Sequence, residues 1–151
     1  MPMIPERERQ QIREIFERDL VSDVRIDVFS KKPSMLFIPG REEPHSGPST
    51  EALVSELAEL TDHIQVLVHD IQAEPEAAAQ AGVSLVPALV LHGSNAGNVR
   101  FLGAPSGYEF STLVSDIVDI STGQVQLADE TIQALDSIAE PVHIQVFSTP
   151  T

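Results

Sequence analysis

The run Ala81-Gly82-Val83-Ser84-Leu85-Val86-Pro87-Ala88-Leu89-Val90-Leu91 constrains this chain more than any other stretch. Pro75 to Ala81 is alanine-rich, with proline near its start and Gly82 just past its end, the asymmetry that brackets a short helix. A loop with a Val86–Pro87 bond follows. Ala88 to His92 is then a continuous apolar run, suited to a buried strand. Helix, proline loop and buried strand in immediate succession belong to a layered α/β architecture.

The rest of the chain fits that architecture. Pro5 to Leu20 reads as a helix with Ile12, Ile15 and Phe16 on one stripe. Val24 to Phe29 alternates apolar and polar residues, a half-buried strand. Ser30 to Ser49 is irregular and rich in Pro and Gly, with Met35 to Ile38 as a short apolar run that suits an extra strand or a flap. Thr50 to Leu60 reads as a helix with Ser49 or Thr50 as its N-cap. Ile64 to Asp70 is nearly continuous in apolar character, which predicts a central strand. Gly93 to Asn98 predicts a turn that makes a hairpin of Ala88–His92 and Val99–Leu102. Tyr108 to Ile120 is an amphipathic helix, with Leu113, Val114 and Ile117 on one side. Helices between the early strands imply crossovers, so the fold class is an α/β sandwich with a central mixed sheet.

The end of the chain predicts something additional. Ser121-Thr122-Gly123 reads as a break, and Ala128 to Ser137 as a helix. Val142 to Phe147 reads as a strand resembling Val24 to Phe29, itself preceded by a helix. The expected division is a domain over 1–121 and, over 122–151, a connecting helix and the first strand of a second unit. A strand without the rest of its unit exposes backbone and apolar side chains, so it is expected either to be disordered or to pair with another chain.

Composition removes several function classes. The 23 acidic and 9 basic residues give a net charge of −14, which repels phosphate backbones and argues against nucleic-acid binding. No apolar run is long enough to span a bilayer. Met1-Pro2-Met3-Ile4-Pro5-Glu6-Arg7 leads into charges and not into an apolar segment, so no signal peptide is expected and the cytosol is the default compartment. There is no cysteine, which excludes disulfides and thiolate metal sites.

The segment Arg100-Phe101-x-Gly103-x-Pro105-x-Gly107-x-Glu109-Phe110, with Gly93 to Val99 before it, resembles a signature of two related groups. These are the glutaredoxin-like protein disulfide oxidoreductases, built from tandem thioredoxin units, and the N-terminal region of the flavoprotein subunit of alkyl hydroperoxide reductase. Glu51 to Ile64 and Pro141 to Thr151 support the resemblance, and the latter favours the disulfide oxidoreductases. It implies a thioredoxin-like three-layer sandwich and a cis-proline at Pro87. In such units the backbone before that proline, here Val86, pairs with an extended peptide. A Cys-x-x-Cys, when present, precedes the helix read from Thr50; the corresponding vestigial loop is Pro44, His45, Ser46 and Gly47. The resemblance places the second unit's Cys-x-x-Cys directly after the stretch ending at Thr151.

The functional expectation is a non-catalytic unit of a disulfide oxidoreductase, packed against a second thioredoxin unit or forming a homodimer through 142–147, with no catalytic residue and no cofactor. Two alternatives stand beside it. One is a free-standing module that binds unfolded or disulfide-bearing peptides. The other is a fragment of an active reductase whose Cys-x-x-Cys or selenocysteine lies beyond Thr151. Other chemistries find little support. His45 and Ser46 adjoin Glu42 and Glu43, but sequence neighbours rarely form a catalytic dyad. His69, His92 and Asp70 could bind zinc in principle, yet hydrogen-bonded histidines are the expected reading. Gly93 to Asn98 lacks the ending of a phosphate loop and opens no helix.

Overall fold

A computed structural model describes residues 2–32, 46–94, 99–124 and 126–147, with the backbone alone at residue 46. The elements run α1 (Glu6–Asp19), β1 (Val24–Ser30), α2 (Ser46–Ala58), β2 (Ile64–Asp70), α3 (Pro75–Ala81), β3 (Ala88–His92), β4 (Val99–Leu102), α4 (Tyr108–Thr122) and α5 (Asp129–Asp136). The expected Met35–Ile38 run, and Asn95 to Asn98 of the expected turn, lie outside the described residues.

Among the described residues the sheet has four strands, in the order β2-β1-β3-β4. β1 is parallel to β2 and antiparallel to β3, and β3 is antiparallel to β4. The order corrects the expected position of β2. Among the described residues it is an outer strand of this sheet, and Leu67 and Val68 are exposed. Only Ile64 of its apolar run is buried; Val68 on the same face and Leu67 on the other are open to solvent, so the run does not reflect burial on both sides. β1 takes the central place instead. Val24, Ile26 and Val28 are fully buried toward one layer, and Asp27 and Phe29 are buried toward the other.

On the first face, Ile12 and Phe16 of α1, Val54 and Leu57 of α2, and Leu113 and Ile117 of α4 close over β1 and β3. Burying side chains of this size contributes about 1.5–3 kcal/mol each, so this layer dominates the stability. Among the described residues, the short helix α3 covers the opposite face. There Ala78 and Val83 meet Phe29, Ala88 and Val90. Gly82 ends α3 in the left-handed region at φ +67°, a conformation that costs a side-chain-bearing residue roughly 1–2 kcal/mol.

Other elements also differ from the sequence reading. α2 starts at Ser46, because Pro48 suits a first helical turn and does not bar one. α4 continues through Thr122 to a left-handed Gly123, and Ser121 is fully buried, so the helix runs past the end expected at Ile120. Residues 142–147 form no strand within their own chain and are exposed throughout. α5 buries none of its residues. A six-residue strand needs a neighbour to satisfy its backbone, and no described strand pairs with these residues. No described helix is long and apolar enough to cross a membrane.

Candidate functional site

Three segments meet at the C-terminal end of β1. The antiparallel register pairs Phe29 with Ala88, which brings Ser30 opposite Pro87. The first turn of α2 comes to the same place: a Cβ built on the buried Gly47 would lie 3.6 Å from Cβ of Ser30. Ser30 Oγ donates to Glu51 on the second turn of α2, tying helix to strand. The backbone N–H of Ile71 donates to Ser30 O at 3.0 Å.

The Val86–Pro87 peptide bond is cis. Pro87 is buried, and its carbonyl accepts from Gly103 N–H at 2.8 Å. Arg100 of β4 braces the start of the loop: its Nε donates to Ala81 O at 2.6 Å, and its guanidinium lies over Gly82. Val86 packs its side chain against the smaller core, while its N–H and C=O form no hydrogen bond among the described residues. Leu85 within this loop (66% exposed) and Leu102 opposite Ala88 on β4 (57% exposed) present apolar surface.

Of the expected vestigial loop, Pro44 and His45 lie outside the described residues. Ser46 and Gly47 are not in a loop; they form the first turn of α2 together with Pro48 and Ser49. The sequence signal for this site is the pair Ser46 and Ser49, separated by two residues at the head of the helix.

The structure also assembles a cluster that the sequence reading only touched. His69 and His92 do not converge on Asp70, whose Oδ1 instead accepts from Gln72 N–H. Both reach Asp27 from opposite sides. His92 Nε2 lies 2.9 Å from Asp27 Oδ2, and His69 Nε2 lies 3.8 Å from Oδ1. His69 is held on its other nitrogen by Glu74 at 2.9 Å and stacks on Phe29, with ring centroids 4.8 Å apart. Arg25 Nε approaches Asp27 Oδ1 at 3.1 Å without hydrogen-bond alignment, which leaves that buried oxygen unpartnered. Asp27 is only 8% exposed. Its place in an alternating strand reads as solvent-facing, and the clue is histidine on both neighbouring strands. Among the described residues no three metal-ligating side chains are grouped to hold an ion.

No protein-family model matches the chain, and no match is found among the curated proteins. Solved structures do resemble it. The alkylhydroperoxide reductase protein AhpF of Enterococcus faecalis superposes with a TM-score of 0.71 at 23% identity, over 89% of this chain and 60% of that one. The NTD_N/C domain of the same organism's protein gives 0.69 at 24%, over 86% and 58%. A protein disulfide oxidoreductase from Aeropyrum pernix gives 0.72 at 24%, over 88% and 54%. The chain therefore spans little more than half the length of these proteins. The likeness establishes a thioredoxin-like α/β fold, and it does not separate the two groups.

Proposed function

We propose that this chain is a non-catalytic thioredoxin-fold unit serving thiol–disulfide exchange, a platform that docks an extended peptide or a cysteine-bearing partner without a nucleophile of its own. The observation that carries this reading is the pair Ser46 and Ser49, in Cys-x-x-Cys spacing at the head of α2. They stand at the end of the sheet where Val86 and Pro87 lie. On this reading the vestigial redox position lies two residues later than Pro44 to Gly47.

Disulfide exchange proceeds by attack of a thiolate on sulfur through a mixed disulfide. A serine hydroxyl cannot form that intermediate, and the chain has no cysteine elsewhere. Catalysis in which this unit takes part therefore draws its sulfur from another polypeptide segment. What remains is binding. The N–H and C=O of Val86, unpaired among the described residues, offer a pair of hydrogen bonds to an extended segment, and Leu85 and Leu102 offer apolar contacts to its side chains.

The test is an amide NMR titration with a reduced, carboxymethylated, unfolded peptide. The expected result is a saturable shift centred on Leu85, Val86 and Gly103. Shifts spread evenly over the surface, or none at millimolar peptide, would overturn the docking role.

A further inference from the structure

We propose that residues 142–147 of one copy of this chain add as a fifth strand to the outer edge of β2 in a second copy, each copy receiving the other's strand. This is independent of the peptide-docking reading above.

The first ground is a repeated strand. Val142-His143-Ile144-Gln145-Val146-Phe147 matches Val24-Arg25-Ile26-Asp27-Val28-Phe29 at its valines, isoleucine and phenylalanine. In β1 those residues are buried on both faces of the sheet. In the tail, Val142, Ile144, Val146 and Phe147 are 64%, 80%, 85% and 89% exposed. The tail thus has the composition of a central strand and the environment of an unpaired one, a condition that favours pairing with another chain.

The second ground is the edge that fits it. β1 pairs with β2 in parallel from Val24↔Ile64 to Ser30↔Asp70. The other side of β2 has no strand among the described residues. Leu67 and Val68 stand exposed along it. The remaining outer strand, β4, has only 4 residues against the 7 of β2, too short to seat six. Placed in the register that β1 uses, the tail sets Val142, Ile144 and Val146 beside Ile64, Val66 and Val68. Gln145 then falls beside Leu67, and Phe147 beside His69, the ring already stacked on Phe29.

The third ground is charge. Between Pro141 and Phe147 there is no Asp, Glu, Lys or Arg, in a chain of net charge −14. Repulsion between copies is therefore absent at the contact and is screened elsewhere at physiological salt, where the Debye length is about 8 Å. A second copy supplies the same strand and the same edge, so reciprocal exchange closes with two-fold symmetry and leaves no tail unpaired.

The test is sedimentation equilibrium of the full chain at physiological salt. A dimer is expected, and Ile144→Lys is expected to make it a monomer that keeps its helical content and loses only the added strand. The register is tested with Gln145→Cys combined with Leu67→Cys. The parent has no cysteine, so a covalent dimer after mild oxidation reports that contact alone, and Gln145→Cys with Arg100→Cys on β4 should give none. A parent that stays monomeric at several hundred micromolar would overturn the proposal. So would a dimer that survives Ile144→Lys, an open ladder of larger species, or cross-linking to β4 in place of β2.

Discussion

Ser121 and Ser22 lock the end of α4 onto the turn that enters β1. Ser121 Oγ accepts the N–H of Ser22 at 2.9 Å and donates to its carbonyl at 2.7 Å. Ser22 returns the bond through its own hydroxyl to Ser121 O at 2.6 Å. Ser121 Oγ also accepts the N–H of Val21, and the side chain is wholly buried. Ser121→Ala leaves two N–H groups and a carbonyl without their partner at a part-buried corner. An unsatisfied buried group costs about 1–3 kcal/mol, so a loss of roughly 3 kcal/mol is expected in urea unfolding. A change below roughly 0.5 kcal/mol, the range of ordinary surface substitutions, would mean that water enters and replaces the serine.

Gly93 is fixed by the same corner. A Cβ there would clash with Ile120 Cγ2 and sit 2.9 Å from Ile120 O. The second atom is backbone and cannot rotate away. Gly93→Ala is expected to destabilise by about 1–3 kcal/mol, the usual cost of overpacking. Thermal unfolding checks it, and an unchanged midpoint would show that the end of α4 shifts freely.

Asp27 holds the polar face of the sheet together. His92→Ala removes the nearest partner of a carboxylate that is already short of one hydrogen bond. The expected loss is about 1–3 kcal/mol. Asp27→Asn keeps the shape and one acceptor, and should cost less in the same urea measurement. If Asp27→Asn proves the more damaging of the two, the charge of Asp27 beside Arg25 matters more than the hydrogen bond to His92.

Two carboxylates give opposite pH dependences. Glu56 accepts from the backbone N–H of Met3 and of Ile4 and is paired with Arg9, which together hold its carboxyl below the usual range. A depressed folded value gives stability that is present above the ordinary glutamate value of about 4.3 and lost as pH falls through the folded one. Asp116 is pushed up by burial, and further by Asp119. It therefore opposes folding at neutral pH, and the penalty disappears as pH falls through its raised value toward the ordinary one. Glu56→Gln should flatten the acid limb of stability against pH. Asp116→Asn should stabilise near pH 7 and lose that advantage in acid. Parallel curves for parent and variants would contradict both.

Much of this architecture can be read from the chain because it depends on local signals. Pro75 and Gly82 bracket α3, and the apolar stripe of Leu113, Val114 and Ile117 defines α4. The β3–β4 hairpin follows from two short apolar runs either side of a Gly- and Asn-rich turn. The central and outer roles of β1 and β2 are not legible in the same way. Strand order depends on pairing across the sheet, and Asp27 disguises a doubly buried strand as a half-buried one. The start of α2 is hidden because Pro48 looks like a breaker until it is seen in a first turn. The Val86–Pro87 loop is legible from its motif. The meeting of Ser46 to Ser49 with that loop requires the fold, since about forty residues separate them in sequence.

The most direct test restores the missing sulfur. Ser46→Cys/Ser49→Cys is assayed for dithiothreitol-dependent reduction of insulin disulfides against the parent chain. The parent should run at the uncatalysed rate and the double variant should exceed it, because positions 46 and 49 belong to the head of α2, which meets β1 at Ser30, across the sheet from Pro87. A double variant that folds and closes its introduced disulfide reversibly, yet reduces insulin no faster than the parent, would contradict the assignment of this end of the sheet as a redox platform without its sulfur.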